Sequence, residues 1–298
     1  MNKIIQGDAL EVLKKLPKES VDMVITSPPY WALRDYGVEK QIGLEPTFYE
    51  YIDKLCDIFD EVKRILKKEG TCWVNLGDTY GNSNQAGTKV FGNKEFNKNR
   101  PSRLLTKTPE KKIKGFNKCL LQVPSRFAIE MVNRGWMLRN EIIWHKPNCM
   151  PSSAKDRFTV DFEKIFFFVK NKKYYFETQY EKATYTDSRK DKGLIKYNNR
   201  LTKCNVKVSD SRIKRTVWRV STKPFKGAHF AVYPQELIES PIRAGCPSNG
   251  IVLDPFFGAG TTGVVAKKLN KNYIGIEINS NYIKIAEERI KNQPNQLL

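Results

Sequence analysis

Ile251-Val-Leu-Asp254-Pro-Phe-Phe-Gly258-Ala-Gly260-Thr-Thr-Gly263 is the stretch that decides the fold. Ile251–Leu253 reads as a short strand leading into Asp254-Pro255-Phe256-Phe257. Gly258, Gly260 and Gly263 then form a GxGxxG, a spacing that lets backbone approach a ligand between a strand and a helix. The helix runs to Leu269, and Tyr273–Ile276 is a second strand ending at Glu277. A carboxylate at that place can accept both hydroxyls of a ribose. Strand, glycine loop, helix and strand make a parallel crossover unit. They imply an α/β sheet whose ligands lie at the carboxyl ends of its strands.

The same alternation extends back to the N-terminus. Lys3–Gln6 is a strand candidate, followed by Asp8 as a helix N-cap with Glu11 three residues on. Val21–Thr26 is the next strand, and it leads into Ser27-Pro28-Pro29-Tyr30-Trp31. Two prolines fix their own φ and push the residues before them out of the helical region, so the chain leaves the sheet in a stiff, extended loop. That loop is expected to present the Ser27 hydroxyl, the proline carbonyls and two aromatic faces, Tyr30 and Trp31. Thr47 and Glu50 open a long helix with an apolar face of Tyr51, Ile52, Leu55, Ile58, Phe59, Val62, Ile65 and Leu66. Lys67 and Lys68 suit its C-terminal dipole, and Gly70 is expected to stop it. Thr71–Leu76 reads as a buried strand leading to Asp78. A helix over Pro124–Asn133, strands over Trp136–Trp144 and Lys164–Lys170, a helix from near Tyr233 and a last helix capped by Ser280 complete the pattern. Asp8, Ser27, Asp78, Asp254 and Glu277 all fall at strand ends, where a purely structural sheet has little reason to place them.

Charge bounds the partner. The chain has 298 residues and a formal net charge of +20. Residues 81–126 carry 11 Lys/Arg against 2 Asp/Glu, and residues 170–226 carry 17 against 5, so the remainder is close to neutral. Two basic blocks on a neutral body point to a polyanion such as nucleic acid. Residues 81–118 lose apolar periodicity and read as a flexible basic loop. The second block interleaves Tyr180, Tyr185, Tyr197 and Trp218 with Lys and Arg, which suits base stacking beside phosphate pairing. The six cysteines form no CxxC pair, and with two histidines no metal site is expected. Those cysteines read as reduced intracellular thiols. No apolar run approaches the ~20 residues of a membrane span, and the N-terminus enters a strand without targeting character.

A GxGxxG with a downstream acid also fits a nicotinamide enzyme. Asp254 argues against that, since a carboxylate at the strand end repels a pyrophosphate but can hold an ammonium. The unit is also C-terminal with only one further strand, and the Ser27-Pro28-Pro29-Tyr30 loop is left without a role. A cofactor with an α-amino group, a ribose, a positive sulfonium and no phosphate suits the acidic site better. S-adenosylmethionine is such a molecule.

These residues together closely resemble the amino-methylating DNA methyltransferases of the β, or permuted, class. Asp254-Pro-Phe-Phe-Gly-Ala-Gly-Thr-Thr-Gly263 is similar to their S-adenosylmethionine loop, and Gly275-Ile-Glu-Ile-Asn279 to the ribose-binding strand. Thr26-Ser-Pro-Pro-Tyr-Trp31 resembles their catalytic motif. Ile142-Ile-Trp-His-Lys-Pro-Asn148 and His229-Phe-Ala-Val-Tyr-Pro-Gln235 resemble further family blocks. The catalytic motif precedes the cofactor loop, as that class requires. The resemblance spans the chain apart from the two basic segments.

The resemblance implies a Rossmann-like S-adenosylmethionine-dependent methyltransferase fold. Its sheet is seven-stranded and mostly parallel, with one antiparallel strand and circularly permuted motif order. It implies one catalytic domain over residues 1–298, with a basic DNA-contact loop at 81–123 and a target-recognition segment at 177–226. Asp8, Asp254, Phe256, Gly258, Gly260, Thr261, Glu277 and Asn279 are the residues it places around the cofactor. Ser27, Pro28, Pro29 and Tyr30 are its catalytic residues. Ser27 Oγ and the Pro28 carbonyl would accept the amine hydrogens, and Tyr30 would stack on the base. Asp78 is an auxiliary candidate that binds a proton or the serine hydroxyl, or lines the cofactor pocket. His145 and His229 receive no catalytic role, and Cys246-Pro247 reads as structural. The implied activity is site-specific methylation of an exocyclic amine on a flipped base in double-stranded DNA, as in restriction–modification. It would take place in the cytoplasm, by a prokaryotic or phage-encoded enzyme, with a possible cognate endonuclease. Serine at the first motif position resembles the cytosine-N4 group, and adenine N6 is the alternative. A non-catalytic DNA-binding regulator on the same fold is the alternative of another class. An RNA-directed methyltransferase is a further one.

Overall fold

The elements follow the alternation read from the sequence. They are β1 (Lys3–Gln6), α1 (Ala9–Lys15), β2 (Val21–Thr26), α2 (Phe48–Ile65), β3 (Leu66–Leu76), α3 (Val123–Asn133), β4 (Met137–His145) and β5 (Phe162–Val169). Short strands β6 (Tyr180–Lys182), β7 (Leu194–Tyr197), β8 (Arg200–Lys203), β9 (Ser211–Ile213) and β10 (Val217–Arg219) come next. The chain closes with α4 (Gln235–Gly245), β11 (Ile251–Asp254), α5 (Thr261–Lys268), β12 (Asn272–Glu277) and α6 (Ser280–Lys291). The computed structural model describes residues 2–33, 35, 37, 38, 41–81, 115–182, 194–197, 200–203, 211–223 and 232–294. Most of the 81–123 loop, and 183–193, 204–210 and 224–231 with Tyr185 and His229, lie outside the described residues.

The main sheet runs β1-β12-β11-β2-β3-β5-β4-β10. β5 is antiparallel to β3 and β4, and all other neighbours are parallel. Seven of these strands, with β5 as the antiparallel one, match the expected sheet. The difference is β10, an eighth strand from the second basic segment, which pairs with the edge strand β4. Trp218 explains the addition. Its flanks Val217 and Arg219 point outward while its own ring is 9% exposed, so burying one indole covers an otherwise open edge. β6 with β9, and β7 with β8, form two separate ribbons.

α1–α3 cover one face of the sheet and α4–α6 the other, with Phe59 and Phe127 in the first core and Ile238 and Val265 in the second. The sheet order proceeds from β11 through β12 to β1 on one side and from β2 through β3 to β5 on the other. The crevice between β11 and β2 is therefore the topological switch point, where α/β sheets bind ligands. The loops after β2 and β11 meet there although they lie at opposite ends of the chain.

Two boundaries differ from expectation. α2 buries the anticipated face, from Phe48 to Ile65, and at roughly 1.5–3 kcal/mol per buried large apolar side chain that packing holds it. It ends at Ile65 rather than Gly70. Leu66 is already extended (φ −68°, ψ 134°), and its N–H closes the last turn on the Val62 carbonyl. Leu66–Gly70 then start β3, with Leu66 opposite Val21. Lys67 bonds Asp22 at 2.8 Å rather than serving the helix dipole, and Lys63 and Arg64 occupy the last turn. At α6 the cap is Asn279, whose side chain accepts the Asn281 N–H at 2.9 Å; Ser280 is the first helical residue.

Candidate active site

At the switch point an open cleft of about 950 Å³ is lined by Asp8, Ser27, Pro29, Asp254, Phe256, Gly258, Thr261, Glu277 and Asn279, among others. Nine of the residues singled out in the sequence thus converge on one cavity. Pro28, Tyr30, Gly260 and Asp78 are not in its wall.

Asp254 ends β11 at 1% exposure. One of its oxygens accepts from Thr26 Oγ1 (2.6 Å) and the Phe256 N–H (3.0 Å). The other accepts from Thr262 Oγ1 (2.6 Å) and Tyr233 Oη (3.1 Å). Burial pushes the Asp254 carboxyl up, against the pull of these four donors. A carboxylate offers about four lone-pair sites, and the protein fills them all. Asp254 therefore ties β2, α5 and Tyr233 together at the floor of the cleft, where the sequence suggested a direct ammonium contact.

Glu277 ends β12 at 8% exposure. Its two oxygens accept the N–H groups of Gly258 and Asn279, each at 2.8 Å. Burial raises its carboxyl, the two N–H groups lower it again, and the Asp254 charge adds a smaller upward push. One bond per oxygen leaves acceptor capacity on each, the arrangement that two neighbouring ribose hydroxyls need. Asp8 caps α1 by accepting the Glu11 N–H at 3.1 Å while its residue stands in the cleft wall. Gly260 serves packing. It sits at φ 76°, and a Cβ there would lie 2.6 Å from Ala286 Cβ, so only glycine lets α6 close on the loop.

The Ser27-Pro28-Pro29-Tyr30 loop leaves β2 beside this cleft. Ser27 Oγ lies 3.3 Å from Asn75 Oδ1 and 3.4 Å from Tyr30 Oη. Tyr30 Oη donates to Glu163 Oε2 at 2.6 Å and also lies 3.2 Å from Asn75 Oδ1. Glu163 is in turn paired with Lys146. Burial, then the Glu163 charge, pushes the Tyr30 phenol well above its ordinary range. The Tyr30 ring lies against Gly77, where a Cβ would come within 2.6 Å of it. Tyr51 Oη donates to the Pro29 carbonyl at 2.9 Å and fixes the loop from α2.

Two expectations for this loop change. Trp31 is 3% exposed, with its ring edge against Phe48 and its indole N–H on the Glu45 carbonyl at 2.9 Å, so it anchors the loop and offers no free face. Asp78 accepts the N–H groups of Thr79 (2.8 Å) and Val123 (3.1 Å), which makes it the cap for α3, whose own N-cap Gln122 makes no side-chain capping bond. Burial raises the Asp78 carboxyl. The polar neighbour of Ser27 is Asn75 instead. Asn75, Glu163, Lys146 and Tyr233 were missed as site residues. The signal for Asn75 was present, as a lone amide inside the apolar run Thr71–Leu76 and buried to 5%.

These features define an α/β transferase site in which a nucleoside-type cofactor cleft adjoins a hydroxyl-bearing Pro-Pro loop. A family model described as DNA methylase, for N6 and N4 methyltransferases, matches residues 21–288. The chain belongs to that family. It is 41% identical over 295 residues to the type II methyltransferase M.Cfr9I of Citrobacter freundii, covering 99% of this chain and 89% of the relative. It is 43% identical over 290 residues to M.SmaI of Serratia marcescens, covering 97% and 90%. In fold it is similar to the cytosine-N4-specific PvuII DNA methyltransferase, with TM-score 0.67, 20% identity, and coverage of 100% of this chain and 88% of the other. It is similar also to M1.HpyAVI solved as its S-adenosylmethionine complex, with TM-score 0.54, 19% identity, and coverage of 97% and 100%. The chain is a site-specific DNA amino-methyltransferase, and S-adenosylmethionine is its methyl donor. The cleft fits that donor, since its backbone-held Glu277 and its acidic floor suit a ribose and a cation. Bound there, the cofactor supplies an electrophilic methyl group on a sulfonium.

Proposed function

We propose that the enzyme methylates the N4 amine of cytosine within a specific duplex sequence, with Ser27, Pro28, Pro29 and Tyr30 around the reacting base. The observation that carries this reading is the position of Ser27. Its residue lines the cofactor cleft, and its hydroxyl belongs to the hydrogen-bonded group of Tyr30 and Asn75. An exocyclic amine is a weak nucleophile because its lone pair is delocalised into the ring. A neutral acceptor on the amine hydrogens localises that pair and aims it, and the base must leave the duplex to reach such an acceptor. No covalent cysteine is needed. Cys246 is buried, which raises its thiol to about 12 and leaves it a poor nucleophile. Serine in place of aspartate favours cytosine over adenine N6, and the fold neighbour from PvuII carries the description cytosine-N4-specific. Base-resolved mapping of methyl marks in DNA from cells expressing the chain tests this. N4-methylcytosine in one sequence context is expected, and marks confined to adenine N6 would establish the second reading.

In this reading Glu277, Asn279 and Asp8 hold the nucleoside part of the donor. Phe256, Gly258 and Thr261 line it, and Asp254 and Gly260 shape the loop. Residues 81–123 grip the DNA backbone, and residues 177–226 read the target within a single catalytic domain. Neutralising lysines in 81–123 is expected to weaken binding to all duplexes alike. The plot of log affinity against log salt should flatten, by about 0.9 in slope for each phosphate no longer neutralised. An unchanged slope in a binding titration would remove the phosphate-gripping role. Among the described residues no helix is long and apolar enough to cross a membrane. The type II description of its bacterial relatives supports a cytoplasmic enzyme, prokaryotic or phage-encoded. A cognate endonuclease accompanies it, as the type II description of the relatives suggests.

A further inference from the structure

We propose that Glu163, braced by Lys146, sets the direction of the hydrogen bonds at Ser27 and receives the proton that the target amine gives up. This rests on the reading of the chain as an amino-methyltransferase and assigns that site a proton route.

The geometry fixes a polarity. The Tyr30 hydroxyl has one proton, and the short 2.6 Å bond to the Glu163 carboxylate claims it. A hydrogen bond to an ionised acceptor is about twice as strong as a neutral one, so the competing 3.2 Å contact with Asn75 loses. Tyr30 Oη then faces Ser27 as an acceptor, and Asn75 Oδ1 is an acceptor by nature. Ser27 must donate to one of them. Its own lone pairs are left for an incoming N–H, the role the chemistry demands. With no carboxylate behind Tyr30, the phenol could donate to Ser27 and turn the serine around.

The same contacts make a conduit. As the nitrogen–carbon bond forms and the carbon–sulfur bond breaks, the electron pair of the broken bond passes to sulfur and the methylated nitrogen carries one proton too many. That proton passes to Ser27 Oγ. The serine proton moves to Tyr30 Oη, and the tyrosine proton moves to Glu163. One proton leaves the amine, one carboxylate is protonated, and both hydroxyls are restored. Glu163 then releases its proton to solvent. Asp78 does not take this part: its bonds go to the backbone at the start of α3, whereas those of Ser27 and Tyr30 go to each other, to Asn75 and to Glu163. Lys146 and Glu163 side chains are 19% and 14% exposed, so the pair is shielded enough to matter yet open enough to exchange a proton. Glu163 touches neither cofactor cleft nor base in this arrangement. It is a positioning residue and a terminal acceptor acting through Tyr30.

Glu163→Gln and Tyr30→Phe, singly and together, test the relay in single-turnover methyl transfer on duplex DNA. Each single variant is expected to slow transfer roughly 10–100-fold with S-adenosylmethionine affinity kept within about twofold, and the double variant to be no slower than the worse single. In the protein alone, the Tyr30 side-chain resonance in carbon-labelled tyrosine spectra is expected to shift in Glu163→Gln. A wild-type rate in Glu163→Gln, strictly additive losses in the double variant, an unshifted Tyr30 resonance, or a parallel loss of cofactor binding would each overturn the relay. Failure of the unaltered chain to methylate any DNA would instead overturn the enzyme reading, and the relay with it.

Discussion

Ser27→Ala should bind S-adenosylmethionine within about twofold of wild type and transfer methyl groups roughly 10²–10³-fold more slowly. The hydroxyl is the group that joins the cofactor cleft to the Tyr30–Asn75 cluster. Its removal takes away the acceptor for the amine but leaves the neighbouring supports intact. Thr26 still bonds Asp254, and Tyr51 still holds the Pro29 carbonyl. The loss should therefore appear in kcat and in kcat/KM for DNA alike, the signature of an interaction made in the transition state. Calorimetric titration of the cofactor and single-turnover transfer on duplex DNA separate the two quantities. Full activity in Ser27→Ala would remove serine from the mechanism.

Glu277→Ala should show the opposite split. Its carboxylate holds the Gly258 and Asn279 N–H groups, so the substitution releases the glycine loop as well as removing the proposed ribose acceptor. A hydrogen bond to a charged group contributes about 1.5–3 kcal/mol, which corresponds to a loss of roughly 10–100-fold in cofactor affinity. At saturating cofactor the transfer rate should recover most of its wild-type value, because β11 stands between Glu277 on β12 and the Ser27 loop after β2. A titration in which Glu277→Ala bound the cofactor normally would move the ribose site elsewhere. Asp254→Ala is a harsher change, since it strands Thr26, Thr262 and Tyr233 together.

What was legible in the chain was local. The β11–α5–β12 unit could be read because a strand, three glycines and two strand-end acids sit within one short stretch. The two-proline loop after β2 was legible for the same reason, and the order of the two motifs set the permuted class. What was not legible depends on pairing between distant strands. Asn75 comes beside Ser27 through the parallel register of β2 with β3, which sets Thr26 opposite Val74. Glu163 comes beside Tyr30 through the antiparallel register of β3 with β5, which sets Asn75 opposite Ile165 and Leu76 opposite Lys164. That register carries Glu163 one step further, beside Gly77 and the Tyr30 ring. The end of α2 was misread because Lys67, Lys68 and Gly70 imitate a helix C-terminus. Pairing of Leu66 with Val21 decides otherwise. Asp78 looked like a site acid because it follows a strand, and the missing cap of α3, a helix from a distant stretch, claims it. Trp31 sits next to the proposed catalytic residues in sequence, but a buried indole contributes more by packing on Phe48 than by facing solvent.

The most direct test of the central claim is transfer from methyl-labelled S-adenosylmethionine to duplex DNA, with the product hydrolysed to nucleosides and the label located. Wild type should place the label on an exocyclic amine, as N4-methylcytosine, and Ser27→Ala should place little or none. Label on a cytosine ring carbon, or equal labelling by wild type and Ser27→Ala, would contradict a site in which Ser27 receives the hydrogens of a flipped base.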